Sequence, residues 1–164
     1  LGALEASLDR FYASEDFDGI QALLRGDLAL SRRVVETARE KGYDLVLATN
    51  PLFPMIAVTM RLKWLGIDPA VFRHVTDYTR SSYCKPNNAY YREIFEVIGK
   101  TPGQCLMVGN NTKEDMCAGE LGVETYLVTD YLENEPNMDI EGFRHGSLAE
   151  LEAYLDALPN LRAR

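Results

Sequence analysis

The stretch Asp44-Leu45-Val46-Leu47-Ala48-Thr49-Asn50-Pro51 decides the fold. Its apolar run is too short for a helix and follows Gly42 closely, so it reads as a strand buried on both faces. Pro51 has no amide hydrogen to offer a ladder, so the strand stops at Thr49 or Asn50. A hydroxyl and an amide are thereby left at the C-terminal edge of a buried strand. Ligands of open parallel α/β sheets bind at that edge. Taken alone, Thr49 also reads as a residue that only caps the turn.

Working outward, the spacing predicts a helix over 28–41, stopped at Gly42, before the strand at 43–49. A helix follows over 54–65, with Pro54 in its first turn and Gly66 after its end. A short strand is expected at 74–76. Asn87 suits the N-cap of a helix over 88–98. A second buried strand covers 105–108, and a helix opens near Glu114-Asp115 and stops at Gly122. Another strand covers 124–128, and an acidic loop fills 130–146. Ser147-Leu148-Ala149-Glu150 has the form of a capping box opening the last helix, to about 158. Residues 1–27 are helical in pattern. Alternating helices and strands predict a mainly parallel sheet with helices on both faces, a Rossmann-like three-layer α/β fold.

Composition narrows the function classes. The 164 residues suit one domain with a small appendage, and 46% hydrophobic with 26% charged residues is ordinary for a globular chain. The net charge of −8 disfavours sequence-independent binding to nucleic acid or an anionic membrane. No apolar run is long enough to cross a bilayer. Cys84, Cys105 and Cys117 are scattered and odd in number, which fits a reducing cytoplasm. His74 and His145 have no partner at ligand spacing, so a zinc site is not expected.

Three sites after strands align: Thr49-Asn50, then Lys85-Pro86, then Gly109-Asn110-Asn111 with Asp115. Their chemistry suits phosphoryl transfer. Thr49 and Asn50 would hold phosphoryl oxygens, and Lys85 would offset negative charge. Asp115, with the amide oxygens of Asn110 and Asn111, would hold Mg²⁺ directly or through water. Each has a plainer reading: a solvated loop lysine, an acid at a helix N-terminus, asparagines in a turn.

Taken together, these segments resemble the haloacid dehalogenase-like (HAD) superfamily of hydrolases. Leu45–Thr49 resembles its second motif, a strand ending in Ser or Thr. Lys85 resembles the third-motif lysine, and Val108–Asp115 resembles the fourth motif, usually Gly-Asp, four residues, then Asp. The resemblance covers the chain from about residue 28. It implies a HAD-like core at 28–164 and the tail of a helical cap at 1–27. It also implies a Mg²⁺-dependent phosphatase of a small phosphorylated metabolite that works through an aspartyl-phosphate, with catalytic roles for Thr49 and Lys85. Haloacid dehalogenases and non-catalytic binding or regulatory modules of the same fold are the alternatives.

Two departures bear on this reading. The family's nucleophile motif, an apolar strand ending in Asp-x-Asp, does not occur in its expected context. Asp16-Phe17-Asp18-Gly19 matches its letters but follows no buried strand, and its acids suit a first helical turn. The nucleophile is therefore expected on a segment upstream of Leu1, and the fragment alone is expected to be inactive. That segment, or a partner chain, would complete the sheet between the strands at 43–49 and 105–108. The second departure is Asn110, where the family usually has Asp and where an amide oxygen is a weaker Mg²⁺ ligand.

Overall fold

The computed structural model describes residues 2–135 and 137–163; Leu1, Pro136 and Arg164 lie outside it. Strand β1 (Leu45–Leu47) pairs in parallel with β2 (Phe72–Val75). Helix α4 (Met55–Trp64) connects them. It begins directly after Pro54, whose ring cannot accept a preceding helical turn, and ends before Gly66 at φ +68°. A second sheet has the order β3-β4-β5, with β3 at Leu106–Gly109, β4 at Glu124–Val128 and β5 at His145–Gly146. Both of its pairings are parallel.

Among the described residues the two sheets share no strand ladder. Helices bridge the split on both faces. Helix α5 (Asn88–Ile98) is capped by Asn87, whose side chain accepts the Ala89 N–H. Its buried Tyr90, Tyr91, Ile94 and Ile98 pack on Val46 in β1 and Ala48 just after it, and on Cys105 just before β3 and Met107 within it. Each such side chain taken from water contributes roughly 1.5–3 kcal/mol. On the opposite face lie α3 (Leu28–Glu40) and α6 (Leu148–Ala157). Ala38, Leu151 and Leu155 form a cluster there that reaches both Leu45 and Leu106. The result is a helix–sheet–helix sandwich of the expected three-layer kind.

The N-terminal part forms α1 (Gly2–Tyr12) and a short α2 (Glu15–Asp18). Phe17 is buried against Trp64, with ring centroids 5.0 Å apart. The Asp18 carboxylate accepts the Trp64 indole N–H at 2.8 Å. Asp16-Phe17-Asp18-Gly19 is thus helical, and one of its acids is engaged in tying α2 to α4.

Several boundaries differ from expectation. β1 covers three residues rather than seven, because its ladder has a partner on one side only and its register slips between Leu45 and Val46. The helix expected after Asp115 is a 3₁₀ turn over Met116–Leu121. Gly119 inside it lowers helix propensity. Within the stretch 1–27, helical in pattern, α2 gives way to a 3₁₀ turn at Gly19–Leu23 rather than continuing as one helix. The loop at 130–146 ends in β5, whose two residues are too short to carry a periodic signal. No helix among the described residues is long and apolar enough to cross a membrane.

Candidate active site

A cavity of about 360 Å³ opens where β1 and β3 end. Thr49, Asn50, Lys85, Asn110 and Asp115 line it, together with Phe53 and Arg61. Five of the six expected site residues are therefore brought together; Asn111 does not line the cavity but donates its backbone N–H to Asp115.

The Thr49 end is clamped by backbone and hydroxyl contacts. Its Oγ1 donates to the Thr76 carbonyl at 3.2 Å. Its own carbonyl accepts the Thr76 hydroxyl at 2.7 Å and the Tyr90 hydroxyl at 2.8 Å. Burial pushes the Tyr90 phenol well above the usual tyrosine range, which keeps it a neutral donor. Both lone pairs of the Thr49 carbonyl are thereby engaged, and the turn that presents the Thr49 side chain is fixed.

Lys85 precedes a cis bond to Pro86, and its side chain is only 6% exposed. Its Nζ lies 2.6 Å from Asp115 Oδ1 and 5.8 Å from the centre of the Tyr90 ring. A buried ion pair is offset against desolvation only when its remaining atoms are also bonded. Here Asp115 Oδ2 accepts the Asn111 backbone N–H at 3.0 Å. Gly109 is required for this approach, since a Cβ at that position would overlap the Asp115 carboxylate.

The asparagines differ in their engagements. Asn110 Nδ2 donates to the Tyr131 carbonyl at 2.6 Å, an exposed contact holding the loop after β4. Asn111 Oδ1 already accepts the backbone N–H groups of Lys113 and Glu114 at 2.9 and 2.8 Å. Asn50 Nδ2 donates to Glu114 Oε1 at 3.2 Å, while Asn50 Oδ1 is buried without a hydrogen-bond partner among the described residues. Glu114 is held in turn by the Tyr91 hydroxyl, which donates to its carbonyl at 2.6 Å.

The donor set bears on a metal. Among the described residues no three His, Cys, Asp or Glu side chains cluster. Mg²⁺ usually keeps several waters and takes only one or two carboxylates with substrate oxygens. Asp115, with the oxygen of Asn110, fits such a partial set. Asn111 fits less well, because its oxygen closes a turn.

Thr76, Tyr90, Arg61 and Glu114 were not singled out by sequence. Thr76 and Tyr90 sit in segments that read as strand and helix core. Glu114 adjoins an expected site residue, and only the fold shows that it faces Asn50. No sequence signal marks Arg61, which lies two turns into α4.

Among solved structures the chain is similar to a HAD phosphatase from Thermococcus onnurineus, at 24% identity and TM-score 0.61, over 78% of this chain and 57% of the other. It is also similar to a predicted phosphoglycolate phosphatase from Haemophilus somnus, at 24% identity and TM-score 0.62, over 75% and 54%. An L-2-haloacid dehalogenase matches at 19% identity and TM-score 0.56, over 76% and 54%. The chain thus spans little more than half the length of these proteins, and at such identities the likeness concerns the fold. No curated protein matches it. The family model of the haloacid dehalogenase-like hydrolases matches residues 4–121, most of the chain, and the chain belongs to that family.

Proposed function

We propose that this chain is the core of a Mg²⁺-dependent phosphatase of a small phosphorylated metabolite. The observation that carries the reading is the buried Lys85–Asp115 pair facing the clamped Thr49-Asn50 turn across one cavity. The Asn50 amide, whose Nδ2 keeps a second hydrogen beside the one given to Glu114, and the Thr49 hydroxyl, turned from the Thr76 carbonyl, orient phosphoryl oxygens. Lys85 offsets the charge that builds on those oxygens as the phosphoryl group transfers. Asp115 and the Asn110 oxygen hold the metal, which when bound neutralises charge on the phosphoryl group. Asn111 supports Asp115 from behind.

The nucleophilic Asp belongs, in this reading, to a strand upstream of Leu1 that ends at the same cavity. A second Asp beside it serves as acid and base, and the 164 residues alone do not turn over. Support comes from the split between β1 and β3, whose facing side chains are already covered by helices above and below. Such a strand, or one supplied by a partner chain, would pair inner-edge backbone groups that are costly to leave buried and unpaired. Residues 1–27 are the tail of a cap in this scheme, and of them Tyr12 and Phe17 pack against α4 and the neighbouring Phe53. The free cysteines agree with a reducing cytoplasm.

One observation favours a metal-independent dehalogenase instead: Asn110 carries no charge, which leaves Asp115 as the only carboxylate among the described residues that line the cavity. Chelation separates the two. In the full-length protein, phosphate release from phosphomonoesters is expected to stop on adding EDTA and to return with Mg²⁺. Thr49→Ala and Lys85→Ala should each lower kcat/KM by about a hundredfold or more. Halide release that survives EDTA would establish the dehalogenase. Ligand binding without turnover of either substrate would establish a non-catalytic module.

A further inference from the structure

We propose that the adjacent Tyr90 and Tyr91 of α5 are positioning residues that set the width of the site across the split sheet. The Tyr90 hydroxyl holds the phosphate-binding turn at Thr49-Asn50, and the Tyr91 hydroxyl holds the metal-binding end at Asp115. The proposal rests on the phosphatase reading above. The two ends follow β1 and β3, which belong to sheets that share no ladder among the described residues. Both tyrosines are buried, Tyr90 completely. The Tyr90 hydroxyl donates to the Thr49 carbonyl at 2.8 Å, and the Tyr91 hydroxyl donates to the Glu114 carbonyl at 2.6 Å. Those carbonyls belong to the peptide units that lead into Asn50 and Asp115. A peptide unit is planar, so holding its carbonyl also aims the N–H on its other side and the residue that carries it.

The helix makes this double reach possible. Successive residues of an α-helix point about 100° apart, so neighbours in sequence serve separate partners. The two rings meet edge to face, with centroids 5.0 Å apart and planes at 87°, so close packing ties the place of one hydroxyl to that of the other. Lys85 joins the same unit. Its Nζ lies 5.8 Å from the centre of the Tyr90 ring, and Asn87, two residues on, caps the helix. Burial drives both phenols well above the usual tyrosine range, so they stay neutral donors. Core packing accounts for the rings but not for the hydroxyls, since Phe would fill the same space without a polar group to bury. Neither carbonyl would be orphaned by that change. Thr49 keeps the Thr76 hydroxyl as a donor, and Glu114 keeps the Cys117 thiol.

Calorimetric binding of two probes, Mg²⁺ alone and inorganic phosphate alone, tests this on the full-length protein, with hydrolysis of phosphomonoesters measured beside it. Tyr90→Phe should weaken phosphate binding about fivefold, the effect of one hydrogen bond, and leave Mg²⁺ binding unchanged. Tyr91→Phe should weaken Mg²⁺ about fivefold and leave phosphate unchanged. Each should lower kcat by about tenfold or more, because small displacements of positioned groups cost turnover. A merely structural role would lower the melting temperature and leave both affinities of the folded protein alone, and that result overturns the proposal. So do affinities that move together in either variant, a variant that does not fold, and a wild type that does not bind each probe. A wild type that binds both probes but hydrolyses no phosphomonoester overturns the phosphatase reading alone, and the two affinities still decide the role of the tyrosines.

Discussion

Asp115 reaches Lys85 only because Gly109 has no side chain. Gly109→Ala should force the carboxylate away from the ammonium and leave two buried charges badly matched. Breaking such a pair costs about 3–5 kcal/mol. Urea unfolding should show a loss of that order, and an unchanged midpoint would mean that Asp115 relocates freely. Thr49, Lys85 and Asp115 were legible in the sequence because each follows an apolar run or a turn at a spacing with chemical meaning. Tyr90 and Glu114 were not, since their partners come from distant elements. Tyr90 bonds the carbonyl of Thr49 and Glu114 bonds the amide of Asn50, contacts that exist only once the chain is folded. Asn111 read as a ligand candidate from its position beside Asn110, but its oxygen is spent on the two N–H groups that shape the loop.

Among the elements, those with a cap and a clear period lie where the sequence puts them. Helix α5 begins after Asn87, and β4 spans the residues expected of it. At α6 the Ser147 hydroxyl accepts the Glu150 N–H at 3.2 Å, and Glu150 Oε2 accepts the Ser147 N–H at 2.7 Å. Ser147→Ala removes one half of this box and should cost about 1 kcal/mol of stability. Thermal unfolding would report it, and a variant as stable as wild type would show that packing of Leu151 and Leu155 alone sets the helix start. The elements that departed from expectation are those whose length depends on neighbours. β1 stops early because pairing on one side ends at β2, and the segment after Asp115 tightens to 3₁₀ around Gly119.

For the whole molecule, the described strands divide into a two-stranded and a three-stranded sheet held together by helices. β4 alone has a strand on each side, and its Tyr126 and Leu127 are buried. Native-state hydrogen exchange should therefore protect the ladder amides of β4 longest and those of β1 for less time. Equal protection in β1 would show that helix packing, not strand pairing, governs opening. The layer order was legible from the alternation of helices and strands, but the split was not, because pairing partners are not written in any local pattern. The N-terminal helices meet this assembly around the buried side chain of Trp64, with Asp18 and Phe17 beside it, and at Phe53, against which Tyr12 packs. Trp64 is also the only tryptophan in the chain. The molecule thus carries a single built-in optical reporter, and its emission follows the docking of α1 and α2 on the core independently of any chemistry at the cavity.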